Sequence, residues 1–278
     1  MSEYVIVSSI FVVVVLLLLI FRRRKTAQQM RQLAEETELQ KQQIILEQQR
    51  NQQLKQEMTN NIAHELKTPV SSILGYLEIL LGDKPVSAEQ QRYFLERCNS
   101  QALRLSDLIR DVSLINKLEE SAELFPRGEV SVSDVVSEVL RDLADRISAL
   151  QITVADTLPD DMMVCGNRSL LYSIFRNLVE NTIAYAGSAV TIGIETYRVD
   201  DDCYYIHFYD TGCGVNSTYL PKLFDRFLRI DQGRSRKNGG TGLGLSIVKH
   251  AVLFHGGDIY AKNRAEGGLE YFFSLKKS

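Results

Sequence analysis

Ile62, Leu66, Val70, Ile73, Leu77 and Leu80 recur in steps of three and four residues, the spacing that lines side chains along one stripe of an α-helix. A helix with one apolar stripe has to bury it, so this run commits the middle of the chain to helix-on-helix packing. His64 lies two residues from both Ile62 and Leu66, roughly 200° around a helix of about 3.6 residues per turn. Its imidazole therefore faces solvent, with Glu65 beside it and Thr68 one turn on. Near neutral pH an imidazole offers a nitrogen lone pair as nucleophile, and Glu65 is a carboxylate placed to accept a proton or hold the ring. Pro69 removes the N–H that would bond the Glu65 carbonyl, which predicts a bend just after this turn. A His-Glu-x-x-His zinc site is excluded, because position 68 is Thr and no second imidazole stands one turn away.

The helix is expected to end at Gly82-Asp83-Lys84-Pro85, and Ser87-Ala-Glu-Gln90 reads as a capping box opening a second helix with apolar positions at Phe94, Cys98, Ala102, Leu105, Leu108, Val112 and Ile115. Two helices with one stripe each bury little area alone. The expectation is an antiparallel hairpin that dimerises into a four-helix bundle through residues 58–118. Residues 26–57, rich in Gln and Glu with no Pro or Gly, favour one continuous helix. A heptad through Met30, Leu33, Ile44, Leu54 and Met58 has Thr37, Gln40, Glu47 and Asn51 at its intervening core positions, a weak coiled coil.

From Tyr4 to Phe21 the chain is almost wholly apolar, interrupted by Ser8 and Ser9, and as a helix it would span roughly 27 Å, close to a hydrocarbon core of about 30 Å. Glu3 precedes this run and Arg22-Arg23-Arg24-Lys25 follows it, the reverse of a cleaved secretory signal. The positive-inside rule puts the C-terminal bulk in the cytoplasm. The expectation is a single-pass protein of the inner (cytoplasmic) membrane. With so little chain before the span, no extracytoplasmic sensor domain is expected here. The net charge of −3, with its dense basic run explained by the membrane edge, argues against direct nucleic-acid binding. Cys98, Cys165, Cys203 and Cys213 form no CxxC pair and, facing a reducing compartment, are expected as free thiols.

After Glu119 the periodicity changes. Val130 to Val132, Ile152 to Val154 and Met162 to Cys165 read as strands, with a helix near Asp134 to Leu150 and another capped by Asn167. Val190 to Tyr197 and Tyr204 to Tyr209 flank Asp200-Asp201-Asp202 as a hairpin, and Asp258 to Ala261 with Tyr271 to Leu275 closes the chain. A sheet with helices on one face, an α+β sandwich, fits this order.

Within that region Asn177-Leu-Val-Glu-Asn181 puts two amides at i and i+4 on one helix face, and amide oxygen suits magnesium, whose remaining shell phosphates and waters complete. Asp210-Thr-Gly212-Cys-Gly214 follows a strand. Its glycines allow close backbone approach, and a buried Asp there can accept from an amino group such as that of adenine. Gly239-Gly240-Thr241-Gly242-Leu243-Gly244-Leu245-Ser opens an apolar-periodic helix, so bare N–H groups at its start can bind phosphate. Leu at 245 rules out Gly-x-Gly-x-x-Gly, and there is no Gly-Lys-Ser/Thr, so the Rossmann and P-loop classes are excluded. Between the glycine segments, Phe224 and Phe227 anchor a polar stretch, Asp231 to Asn238, that reads as a lid, and Arg229 is placed to neutralise a transferring phosphoryl group.

Taken in this order, the segments resemble the membrane-bound sensor histidine kinases of bacterial two-component systems over about residues 58–278. His64 to Pro69 resembles the phospho-acceptor box, Asn177 to Asn181 the N box, Asp210 to Gly214 the first glycine box, Phe224 to Phe227 the F box, Gly240 to Leu245 the second glycine box, and His255-Gly-Gly257 the family's tail. The resemblance implies an N-terminal segment and transmembrane helix (1–25), a helical linker (26–57), a dimerisation and phospho-acceptor hairpin (58–118) and a catalytic ATP-binding domain of the gyrase-like α/β sandwich fold (119–278). It further implies that His64 takes the γ-phosphoryl group of ATP, Glu65 assists as base, Asn181 holds Mg2+, Asp210 reads adenine, and Thr68 orients water for dephosphorylating a partner. That partner is the receiver domain of a cytoplasmic response regulator. Thr182 and Ala184 stand where the family usually has Ala and a basic residue, so one phosphate contact is expected to be missing. Two other readings stay open: a gyrase-like ATPase using Glu180 to activate water, and a non-catalytic membrane adaptor.

Overall fold

The structure, a computed structural model, describes the backbone of residues 2–230 and 240–278; the side chains of residues 2–21, 24–37, 39, 51, 54 and 122 are outside the description. The chain divides into two units, residues 1–61 and 62–278. Helix α1 (Ser2–Leu81) carries residues of both. In the first unit Ile44, Ile45 and Leu46 are more than half exposed, and Met30, Leu33 and Leu54 of the heptad lie outside the described side chains. The apolar run from Tyr4 to Phe21 is likewise outside them. Among the described residues no helix is long and apolar enough to cross a membrane.

The second unit begins with the hairpin. Pro69 sits inside α1 and is buried, and the helix continues past it to Leu81 without a break. Helix α2 (Ala88–Glu120) starts at the expected capping box: the Ser87 hydroxyl oxygen accepts from the Gln90 N–H at 3.3 Å, and Gln90 Oε1 accepts from the Ser87 N–H at 3.2 Å. Tyr76 stacks on Phe94 with centroids 5.6 Å apart, Cys98 approaches the Ile73 carbonyl, and Arg104 pairs with Glu65. Positions rise along α2 as they fall along α1, so the pair is antiparallel. The hairpin leaves much apolar surface uncovered: Val70 of the stripe is 40% exposed, and Leu74, Leu95, Leu103 and Ile109 beside it are more than half exposed. An open groove of about 420 Å³ runs along Ile62, Leu66, Leu108, Ile109 and Val112.

The α/β part follows the expected order with three differences. Strand β1 (Gly128–Ser131) pairs antiparallel with β3 (Met163–Gly166) in a small sheet of its own, apart from the main one. Val132, expected in a strand, opens helix α3 (Val132–Asp142) because the Ser131 hydroxyl caps the Asp134 N–H. The helix expected over 134–150 is split into α3 and α4 (Ala144–Ala149) at Leu143, whose side chain is buried in the core. The main sheet runs β2 (Thr153–Asp156), β4 (Thr191–Val199), β5 (Cys203–Asp210), β7 (Leu269–Lys276), β6 (Ile259–Asn263), with β2–β4 parallel and every other pair antiparallel. Alternation sends Ile206, Phe208 and Asp210 of β5 and Leu269, Tyr271, Phe273 and Leu275 of β7 to one face. There they pack against α3, α5 (Arg168–Tyr185) and α6 (Gly244–Phe254), the latter two placing Ile174, Phe175, Leu178, Val248 and Val252 in the core. All four cysteines are free.

Candidate functional site

Helix α5 carries the two amides, and both of its ends are held. At its start, Asn167 Oδ1 accepts from the Ser169 and Leu170 N–H groups at 3.1 and 3.2 Å. The Asn167 N–H donates to Nε2 of His255 at 3.1 Å, while the other ring nitrogen lies 2.7 Å from the Ala251 carbonyl and must carry the proton. Burial lowers the pKa of His255, which keeps the ring neutral and this pairing intact. A side chain at Gly166 would meet that ring at 2.1 Å. The His255-Gly-Gly257 tail thus ties the end of α6 to the beginning of α5.

At the other end of α5 the glycine segments converge. A Cβ at Gly212 would lie 2.6 Å from the Ala186 Cα, one at Gly240 would lie 2.9 Å from the Tyr185 hydroxyl, and one at Gly244 would lie 2.6 Å from Asn177 Oδ1. Gly214, at φ +65°, lies beside Asn263, whose amide bonds both the N–H and the carbonyl of Val215. Asp210 is buried at the end of β5, and its Oδ1 accepts from the N–H groups of Gly212 and Leu269 at 2.8 and 3.4 Å. Desolvation raises its pKa, partly offset by those two hydrogen bonds. Asn181 Nδ2 donates to the Tyr271 hydroxyl at 2.7 Å, which leaves the amide oxygen as the end available to a cation. Among the described residues no three His, Cys, Asp or Glu side chains gather to hold a metal. The amide oxygen of Asn181 fits a divalent ion that completes its shell with phosphates and waters, as magnesium does.

Other expected site residues face the hairpin. Phe227, at φ +60° and with its N–H on the Gly242 carbonyl, packs with Leu243 and Ile247 of the α6 end against Leu66, Leu108, Val112 and Ile115. A left-handed Phe is a costly conformation that persists only where its surroundings over-determine it. The Thr241 hydroxyl donates to Asp111 Oδ2 at 3.1 Å and accepts from the Leu243 N–H. Arg229 bridges both oxygens of Glu65 at 3.4 Å, and Arg104 takes Glu65 Oε2 at 3.3 Å. Arg226 pairs with Glu119. His250 lies 3.5 Å from the same carboxylate. Burial, with Arg226 and Lys249, pushes this ring down to about 4, so it is neutral and its contact with Glu119 is no ion pair. His64 itself is exposed, and Thr68 donates to its carbonyl at 3.3 Å. Phe224 stays with the sheet, its ring edge-on to Tyr271 at 6.4 Å, and Leu245 packs on the main core. The lid expected over 231–238 lies outside the described residues.

Asp111, Arg104, Asn263 and Tyr271 escaped the sequence reading because none sits in a motif. Asp111, bonded by Thr241 across this seam, is placed to make the docking of the α/β part on α2 proton-dependent. Its carboxyl is pushed up from the ordinary 3.8 to about 6, by burial first and by Asp107 and Glu180, against the pull of the Thr241 hydrogen bond and Arg110. A raised value in the docked state means that proton binding favours docking. This contribution is complete below about 3.8 and fades as the pH rises through about 6. Lowering the pH from 7.5 to 5 should strengthen docking about tenfold, read as protection of α2 amides from hydrogen exchange after correction for intrinsic rates. Asp111→Asn should remove that dependence; a variant with an unchanged pH profile would assign it to another group.

Residues 54–121 match the His Kinase A (phospho-acceptor) domain family, and residues 166–278 match the histidine kinase-, DNA gyrase B- and HSP90-like ATPase family. The chain is 31% identical over 228 residues to the sensor-like histidine kinase SenX3 of Mycolicibacterium smegmatis, covering 81% of this chain and 58% of that protein. It is 31% identical over 204 residues to the phosphate regulon sensor protein PhoR of Pseudomonas aeruginosa, covering 73% and 46%. The chain thus spans about half the length of these curated relatives. The solved structure of histidine kinase ThkA in complex with the response regulator protein TrrA is similar in fold, with a TM-score of 0.63 at 22% identity over 80% of this chain and 61% of that one. With a phospho-acceptor domain followed by an ATPase domain, both in the order its motifs predict, the chain belongs to the sensor histidine kinases of two-component systems.

Proposed function

We propose that this protein uses ATP to phosphorylate His64 and passes the phosphoryl group to an aspartate on the receiver domain of a response regulator. The observation that carries the reading is the pairing of Glu65, next to the exposed His64, with Arg229, which follows the F box of the nucleotide-binding part. One ion pair joins the acceptor turn to the elements that would hold ATP. Asp210 accepts from the adenine amino group, and the N–H groups opening α6 bind phosphate. Mg2+, held by the Asn181 oxygen, neutralises phosphate charge when bound. The remaining chemistry belongs to the hairpin. A ring nitrogen of His64 attacks the γ-phosphorus; the N–P bond forms as the bond to the ADP oxygen breaks, and the ring proton passes to Glu65. Arg229 leaves Glu65 for the transferring group in that step. Thr68 orients water when the regulator is dephosphorylated.

Residues 58–118 form the dimerisation and acceptor hairpin and residues 119–278 the catalytic part. The uncovered apolar surface of the hairpin and its groove support a homodimer, because a second hairpin would bury Val70, Leu74, Leu103 and Ile109. The sequence of residues 1–25 supports a single inner-membrane span with the catalytic part in the cytoplasm, followed by a helical linker at 26–57. Direct nucleic-acid binding forms no part of this reading. Against the hydrolase alternative, Glu180 Oε1 already pairs with Arg146 at 2.9 Å and Arg176 at 3.5 Å.

Incubated with γ-labelled ATP and Mg2+, the protein should acquire an acid-labile label within minutes and lose it to a cognate receiver domain. Steady phosphate release with no labelled protein would instead make it a plain ATPase.

A further inference from the structure

Strand β7 brings one polar atom into the middle of the nucleotide elements. Of its inward residues Leu269, Tyr271, Phe273 and Leu275, three are hydrocarbon and one carries a hydroxyl. Tyr271 is fully buried, with its ring edge-on to Phe208 at 6.1 Å and to Phe224 at 6.4 Å. Packing alone would be served by Phe. Its oxygen meets Asn181 Nδ2 at 2.7 Å, a contact that joins β7 to the N box across 90 positions of sequence. A phenol oxygen has lone pairs to accept with, and here the Asn181 N–H uses one of them.

An asparagine amide has two ends of nearly equal shape and opposite chemistry: the nitrogen only donates and the oxygen only accepts. A divalent cation can use the oxygen and is repelled by the nitrogen. Anchoring the nitrogen to the sheet turns the oxygen away from β7. We propose that Tyr271 is a positioning residue: its phenol oxygen holds the amide nitrogen of Asn181 so that the amide oxygen is presented to the divalent cation of a bound nucleotide. This rests on the assignment of Asn181 as the magnesium-holding residue. Removing the hydroxyl leaves the amide nitrogen without its acceptor and free to rotate toward the cation, and losing a group hydrogen-bonded to a metal ligand typically weakens the metal about tenfold or more.

The test is calorimetric titration of the full chain with ADP, in EDTA and in millimolar MgCl2. In Tyr271→Phe the gain in affinity that Mg2+ confers should fall about tenfold, while the affinity in EDTA stays within about twofold and the unfolding temperature within a few degrees. Aspartate has two equivalent oxygens and needs no orientation, so in an Asn181→Asp background the second change Tyr271→Phe should cost no further Mg2+ gain. If Asn181→Ala loses the gain and Tyr271→Phe keeps it, Tyr271 merely fills space and the proposal is overturned with the Asn181 assignment intact. An equal loss of affinity in EDTA and in Mg2+ would also overturn it. If Asn181→Ala keeps the full gain, the assignment of Asn181 itself falls, and the proposal with it.

Discussion

His64→Gln should abolish the acid-labile label, by at least about 1,000-fold, the scale on which an attacking group contributes to a group-transfer reaction. Affinity for ATP should stay within about twofold. The two readouts separate because His64 is exposed on the hairpin and is not among the residues the glycine segments gather around α5. Gln keeps the helix, since its propensity is at least that of His, and it removes no buried contact. A variant that loses nucleotide binding as well would place the imidazole in the binding site. A variant that still labels would place the acceptor elsewhere. Stability should be nearly unaffected, as for most surface substitutions.

Asp210→Asn should weaken ATP binding by about 100-fold and erode its preference over GTP. Asp210 is buried and its Oδ1 already accepts from Gly212 and Leu269, so an isosteric Asn keeps that oxygen in place. On the proposed reading its second end would become an NH2 facing the amino group of adenine, donor against donor, at a buried position. Leaving a buried polar pair mismatched costs about 1–3 kcal/mol, or a factor of about 5 to 150, and a fully buried donor-against-donor pair belongs at the upper end. Guanine presents a carbonyl at the same edge and escapes the mismatch, which is why the preference should move. Isothermal titration with ATP and GTP analogues reads both effects. Unchanged ATP affinity in a folded variant would remove Asp210 from adenine recognition.

The two halves of the protein differ in how much of them was legible in the sequence. Local codes worked. The Ser87–Gln90 box and the Asn167 cap stand where the spacing put them, because capping is settled within a few residues. The alternation of β5 and β7 was equally readable. The breaks were not. Val132 leaves its strand because the Ser131 hydroxyl captures the Asp134 N–H, and the helix after it divides because Leu143 is drawn into the core. The separate pairing of β1 with β3 depends on residues about 35 positions apart, as in Val130 with Val164.

At the candidate site the structure brings the motif segments together around α5, but spacing did not encode the directions their side chains take. Thr241, Phe227 and Arg229 belong to the segments that resemble nucleotide motifs, yet Thr241 and Arg229 contact Asp111 and Glu65 of the hairpin and Phe227 packs on the cluster that holds Leu108 and Ile115. Which way they face depends on α2 docking against α6, a long-range event that spacing does not encode. Tyr271 was invisible for the same reason: within β7 it reads as one more inward aromatic, and only the approach of α5 gives its hydroxyl a partner.

The central claim is that the exposed imidazole of the hairpin receives the phosphoryl group from ATP bound by the α/β part. The most direct measurement is identification of the phosphorylated residue in the wild-type protein by fragmentation mass spectrometry under alkaline conditions that preserve phosphoramidates. The expected result is a single phosphoryl group on His64. Phosphate on a serine, threonine or other histidine, with His64 unmodified while ATP is consumed, would contradict it.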